Sequence, residues 1–272
     1  MPWTPRQRAM LQEMGVRIWA PEADSPAETQ SATPDALPGS RQTPVGKTPP
    51  GPENWPVEIA KTLIATPTEL QVGERPGRIA TMDWPELREA VAACSACELC
   101  RSRTNTVFGC GNPRAQWMII GEAPGEQEDL RGEPFVGKSG QLLDSMLRAI
   151  GLTRDEDSPA RQVYIANTLK CRPPANRNPD PAELARCEPF LIRQIELVQP
   201  CIILAMGRYA VQALLRSSEP VGRLRGRVHS YQGLPLVVTY HPAYLLRNPQ
   251  EKARAWADLC LALDVAERSR GL

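Results

Sequence analysis

Four short apolar runs of strand length, rich in Ile and Val, stand at residues 116–120, 163–166, 201–205 and 234–240. Between them the apolar positions fall at helical spacing. Residues 139–150 place Leu142, Leu143, Met146, Leu147 and Ile150 on one face, residues 181–198 continue the pattern, and residues 208–215 carry Val211 and Leu214. Strands alternating with helices predict a parallel sheet covered by helices. In such a sheet a ligand site lies outside the carboxyl ends of the strands.

The N-terminal third obeys other rules. Of 28 prolines, 14 lie in residues 1–85, and no cysteine precedes Cys94. Residues 21–58 are Pro, Thr, Ser, Glu, Gly and Ala with few large apolar side chains, too few to offset the entropy of ordering the chain. Before them, Met10, Leu11, Met14 and Ile18 share one face of a short amphipathic helix. The expected organisation is a docking helix in 1–20, a disordered Pro-rich linker over 21–80 and a compact domain over 81–272, entered through a helix near 81–93. The N-terminal extension is the place where a protein partner is expected.

Composition narrows the function. With 32 Lys+Arg against 31 Asp+Glu, the net charge of +1 leaves no global signature of nucleic-acid binding, so any such role must come from a local patch. The longest apolar runs, 201–206 and 234–238, are far shorter than a bilayer span, and the first residues lack an apolar signal core. A soluble, cytoplasmic protein is expected, in which eight cysteines serve as metal ligands or buried thiols rather than disulfides.

The strand ends carry chemistry. Glu122 opens a glycine-bearing loop after the first run, Asn167 follows the second, Met206 and Gly207 the third, and His241 the fourth. A carboxylate, an amide and an imidazole thus meet at one sheet edge, a set suited to acid–base work on a small polar ligand. Each alone has an ordinary structural reading, as a cap, a turn or a hydrogen-bonded core residue. Cys94-x2-Cys97 and Cys171-x15-Cys187 supply four thiolates, which suit tetrahedral zinc or an iron–sulfur cluster. Cys100 extends the first pair and could replace Cys94, whereas Cys201 and Cys260 sit in apolar surroundings. Arg101, Arg103, Lys170 and Arg172 adjoin the thiols and favour a negatively charged cluster. A basic stretch from Arg216 to Arg227, with Arg247 beyond the histidine, suits phosphate contacts.

Taken together, CSAC at 94–97, RTNTVFGCGNP at 103–113, GEAPGEQED at 121–129, GEPFVGKSGQLL at 132–143, VYIANTLKCRPPANRNP at 163–179 and HPAYLLRNP at 241–249 resemble the iron–sulfur (family 4) uracil-DNA glycosylases. The resemblance covers about 94–266 and leaves 1–80 untouched. It implies a three-layer α/β/α sandwich with a central four-stranded parallel sheet, a monomer, and a [4Fe-4S] cluster on Cys94, Cys97, Cys171 and Cys187. It implies release of uracil from DNA to leave an abasic site. Phe135 would stack on the flipped base, Asn167 would read its edge, His241 would donate to O2, and Glu122 would position water or balance the sugar cation. Asn176 and Ala123 match further active-site positions, Leu245 the wedge that fills the vacated stack, and Ser139 and Arg247 the DNA backbone contacts.

Two departures affect the roles. Ala123 stands where the better-known glycosylases carry an aspartate and family-4 members usually a glycine, so Glu122 is the candidate to position the water while the choice of carboxylate stays open. Gly125 stands where those enzymes exclude thymine with a tyrosine, and Glu128 is the expected substitute. A covalent branch of the superfamily has a basic, histidine-bearing loop where this chain has CRPPANRNPDP at 171–181, so turnover is expected. The competing readings are a non-catalytic iron–sulfur DNA-binding scaffold, associated with a polymerase or repair complex, and a zinc-dependent hydrolase.

Overall fold

In a computed structural model, residues 74–269 are described, apart from Pro159. The docking helix expected in 1–20 and most of the linker expected over 21–80 lie outside the described residues. The linker ends sooner than expected: helix α1 (Glu74–Thr81) already buries Ile79. Its sequence, ERPGRIAT, has a single large apolar residue, so no periodicity announced it. Helix α2 (Trp84–Ala92) follows, started by Asp83, whose carboxylate accepts from the Glu86 N–H while Glu86 returns the bond, with Pro85 in the first turn.

The sheet has six strands in the order β1-β3-β2-β4-β6-β5. The inner four are parallel: β3 (Val163–Asn167), β2 (Trp117–Gly121), β4 (Ile202–Met206) and β6 (Leu234–Thr239). They match the four apolar runs. Two antiparallel edge strands, β1 (Cys110–Gly111) and β5 (Val228–Tyr231), enlarge the expected four-stranded sheet. Both escaped the pattern for a physical reason. β1 is two residues long, and β5 alternates exposed with half-buried positions, so neither needs a continuous apolar run.

β2, β3 and β4 are buried at every residue because helices cover both faces. On one face Trp117, Ile119, Ile165, Leu204 and Val237 pack against Leu143, Met146 and Leu147 of α4 (Lys138–Ala149) and Trp256 and Leu259 of α9 (Lys252–Ser269). On the other, Met118, Ile120, Ala166, Ile203 and Val238 meet Leu191 and Ile195 of α5 (Pro181–Val198) and Val211 and Leu214 of α6 (Arg208–Leu215). The layers are therefore α/β/α. Between them run the short helices α3 (Glu126–Arg131), α7 (Val221–Leu224) and α8 (Pro242–Arg247).

One buried charge ties the last strand to the last helix. Asp258 of α9 is fully buried and accepts from Arg225 Nε at 2.9 Å, Arg225 Nη2 at 2.8 Å, the Gly226 N–H at 3.1 Å and the Thr239 hydroxyl at 2.9 Å. Removing the carboxylate leaves all of these donors without their acceptor. Asp258→Ala should destabilise the domain by about 3 kcal/mol, read by denaturant unfolding; a loss under about 1 kcal/mol would show that the network is dispensable.

Candidate active site

β2, β3, β4 and β6 all end at one cleft of about 780 Å³, a size suited to a small-molecule or base-sized ligand. It is lined by Glu122, Ala123, Gly125, Glu128, Phe135, Ser139, Asn167, Asn176, Arg177, Arg208, Tyr244, His241 and Arg247, among others. The parallel register sets Gly121 beside Asn167, so Glu122 and Asn167 leave neighbouring strands at the same level. A Cβ at Gly121 would lie 2.4 Å from Asn167 Oδ1 and 2.6 Å from Phe135 Cζ. Only a glycine there lets the amide and the ring close on one another.

Phe135 is held in an unfavourable backbone conformation, φ 55°, and its carbonyl turns to within 1.7 Å of where a Cβ on Gly140 would be. The strain orients the ring, which lies 5.4 Å from the His241 ring at an interplanar angle of 27°. Asn167 is 2% exposed, and its Oδ1 has no hydrogen-bond partner. Of the buried side-chain atoms without a partner among the described residues, it is the only one at the cleft. A buried carbonyl oxygen facing a cleft without a donor is an acceptor held ready for a ligand N–H.

His241 is the N-cap of α8, and its Nδ1 accepts from the Ala243 N–H at 3.2 Å. The neutral ring therefore carries its proton on Nε2. Burial pushes the imidazole down to about 4, Arg247 adds to the effect, and a helix N-terminus also disfavours the cation. Glu122 moves the opposite way. Burial raises its carboxyl to about 7, against the pull of Arg208 and Arg247. Glu128 is buried, with its carboxylate accepting from the N–H groups of Gly125 at 3.1 Å, Val136 at 2.9 Å and Gly137 at 3.0 Å. It thereby fixes the loop carrying Phe135.

Cys94, Cys97, Cys100, Cys171 and Cys187 line a second cavity with Arg103 and Lys170, and Cys171 follows the end of β3 by only a few residues. Cations and amides face the sulfurs: Arg103 Nη1 donates to Cys171 at 3.1 Å, Arg75 Nη2 to Cys94 at 3.5 Å and the Lys170 N–H to Cys187 at 3.2 Å. Burial pushes the thiols of Cys97 and Cys171 up, and that of Cys187 to about 12, so a cationic group bound there would displace protons. Among the described residues no three His, Cys, Asp or Glu side chains close around one point as a single ion would need. Cys110, Cys201 and Cys260 lie elsewhere, packed on the core.

A family model described as the uracil DNA glycosylase superfamily matches residues 108–260. The chain belongs to that superfamily. Similar proteins include a type-4 uracil-DNA glycosylase of Archaeoglobus fulgidus, 41% identical over 59% of this chain and 81% of its own length. Others are the type-4 enzymes of Thermotoga maritima, 42% identical over 61% of this chain and 84% of the relative, and of Pyrobaculum aerophilum, 40% identical over 66% and 93%.

Of the residues expected at the site, Glu122, Ala123, Glu128, Phe135, Ser139, Asn167, Asn176, His241 and Arg247 line this cleft. Leu245 is a correction. It is fully buried in the core beneath α8, while Tyr244 and Leu246 on either side are exposed, because the helix turns residue 245 inward. The basic stretch is divided: Pro220, Val221 and Gly222 within it line the cleft, while two of its arginines are engaged elsewhere. Arg216 pairs with Glu188, and Arg225 is committed to Asp258. Arg208, which no motif contains, and Arg177, which pairs with Glu183, also line the cleft. The first is held by its bond to the Tyr209 hydroxyl at 2.6 Å. Imidazole NMR should find His241 neutral with the proton on Nε2 from pH 5 to 8, gaining charge only near pH 4; a titration midpoint near 6.5 would mean the site is open to water.

Proposed function

We propose that the chain is a DNA-repair glycosylase that hydrolyses the N-glycosidic bond of uracil in DNA and leaves an abasic site. The observation that carries this reading is the partnerless, buried Oδ1 of Asn167 beside the Phe135 ring. Uracil presents an N3–H donor to that oxygen. Cytosine presents a lone pair there, which would leave two acceptors facing each other in a dry pocket, a strong ground for rejection. The type-4 names of the similar proteins support the same substrate.

The base must leave the stack to reach this depth. Phe135 then stacks on its face, and Glu128 walls the cleft on the side where a 5-methyl group would enter. As the bond lengthens, negative charge grows on uracil O2 and positive charge on the sugar. His241, neutral and with Nε2–H free to donate, stabilises the first without a proton having to be taken up. Glu122, once ionised, balances the second and orients the attacking water. Arg208, Arg247 and Ser139 suit the phosphates flanking the extruded nucleotide, and Asn176, held by Arg172 Nε at 2.8 Å, completes the rim. Leu246 and Tyr244, not Leu245, have the exposure needed to fill the vacated stack.

Cys94, Cys97, Cys171 and Cys187 would hold a [4Fe-4S] cluster, and the N–H donors and cations directed at their sulfurs suit a group of net negative charge. Its contribution would be to pin the loops bearing residues 94–103 and 171–187 beside the cleft. No helix of the described residues is long and apolar enough to cross a membrane. A cytoplasmic monomer, with residues 1–20 docking on a protein partner, completes the proposal.

The test is base release from an oligonucleotide with one uracil, against cytosine and thymine controls, with alkali cleavage of the product. Cleavage at uracil alone is expected, and His241→Ala should slow the single-turnover rate by about 10²–10³-fold with little change in DNA affinity. Cutting at cytosine, or no cutting by folded protein, would sink the reading. The pH profile separates the two groups. Because the Glu122 carboxyl lies near 7 and must be ionised, the rate should rise with pH through about 7, while His241, neutral above about 4, adds no break between 5 and 9. Glu122→Gln should be slow and flat over that range; a retained inflection would assign it to another group.

A further inference from the structure

Lys170 is among the largest fully buried side chains of the protein, 1% exposed. Its Nζ donates to the backbone carbonyl of Asn167 at 2.9 Å and to Gln194 Oε1 at 2.6 Å. Gln194 is itself fully buried and cannot turn away. Its Nε2 is bound to the Phe108 carbonyl at 2.9 Å and the Tyr164 hydroxyl at 3.1 Å, which forces its oxygen toward the ammonium. Both acceptors of the ammonium are thus neutral. A buried cation held only by neutral dipoles is costly, and it persists where an anion stands nearby.

That anion is to be sought among the thiols. Lys170 lines the cysteine cavity, its backbone N–H donates to Cys187, and its neighbour in sequence is Cys171. The five residues from 167 to 171 therefore run from the base-reading amide to the first thiol after β3. The span is stiff. Thr168 N–H and Leu169 N–H bond to the carbonyls of Gly121 and Glu122, the Thr168 hydroxyl also bonds to the Glu122 carbonyl, and the Lys170 carbonyl accepts from Val107 at 2.8 Å.

We propose that Lys170 is a positioning residue: its buried ammonium, balanced by a negatively charged iron–sulfur group on the neighbouring thiols, clamps the Asn167 carbonyl and so holds the amide that reads the base. The inference rests on the reading of the cysteines as cluster ligands. It assigns the cluster a part in base recognition through one side chain, beyond pinning surface loops.

The experiment compares the full-length protein with Lys170→Met, which keeps length and apolar bulk while removing the charge. Iron content and absorbance near ~400 nm report the cluster, spectroelectrochemistry reports its potential, and single-turnover uracil release reports the amide. Removing a nearby cation disfavours the more reduced cluster, so the potential should move to a more negative value. The uracil rate should fall about tenfold at unchanged DNA affinity, and the loss in Lys170→Met/Asn167→Ala should be clearly smaller than the product of the single losses. An unshifted potential together with multiplicative losses overturns the proposal while leaving the cluster in place. A parent protein purified without iron overturns the cluster reading and the charge coupling together, a distinguishable result. Should Lys170→Met fail to fold, Gln194→Met removes one acceptor of the ammonium instead, and the same cycle with Asn167→Ala decides: coupled losses support the clamp, and multiplicative losses refute it.

Discussion

The pairing of Gly121 with Asn167 at the carboxyl ends of β2 and β3 is the constraint on which the cleft depends. It brings Glu122, Asn167 and Phe135 within reach of one ligand because position 121 has no side chain to keep them apart. A one-residue slip of the parallel register would exchange the two helix-facing surfaces of β3 and withdraw the amide at once, and the burial of all five residues of each strand forbids it. The chemistry is therefore fixed by the same packing that stabilises the sheet. Stability and function are not separable at this edge, and the Asp258 network holds Thr239, the last residue of β6, on the same side of the sheet.

Removal of water is the second common cause. It shifts Glu122 and His241 toward their neutral forms, upward for the acid and downward for the base. For His241 the consequence suits catalysis, since a neutral donor stabilises a developing anion without first being drawn into an ion pair. In the role proposed for it Glu122 bears a real cost, because that role needs the charged form, and Arg208 and Arg247 recover part of it. Both arginines line the cleft and are the residues proposed to meet the DNA phosphates. Phosphate bound in that way would reduce their support of the carboxylate, so on the proposed reading substrate binding and the ionisation of Glu122 would oppose each other.

Much of this was legible in the sequence, for reasons that also explain the failures. Inner strands covered on both faces must be continuously apolar, and α4, α5 and α6 must each show one apolar face, so the layers could be read from spacing. β1, β5 and α1 bury little and leave no such trace. Leu245 was misplaced because a motif gives the order of residues but not the phase of the short helix that carries them; in HPAYLL the inward position falls on the first leucine. Arg208 went unnoticed in an Arg-rich chain, since only the turn after β4 brings it to the cleft. Lys170 was visible only as a charge beside cysteines. Its contact with the Asn167 carbonyl depends on the fold of the segment between them.

Thymine exclusion shows how such local choices become linked. A Cβ at Gly125 would sit 2.7 Å from Glu128 Oε2, so any side chain at 125 would displace the carboxylate that gathers the Gly125, Val136 and Gly137 amides. A tyrosine at that position, the solution of the better-known glycosylases, is therefore incompatible with Glu128 as it stands here. Nor can Glu128 be removed cheaply, because three half-buried N–H groups would lose their acceptor and the strained turn at Phe135 would lose its brace. The tyrosine solution and the proposed Glu128 wall exclude one another. Gly125 and Glu128 therefore form a single device, in which the residue proposed to wall the 5-methyl position also holds the loop of Phe135, the ring proposed to stack on the base.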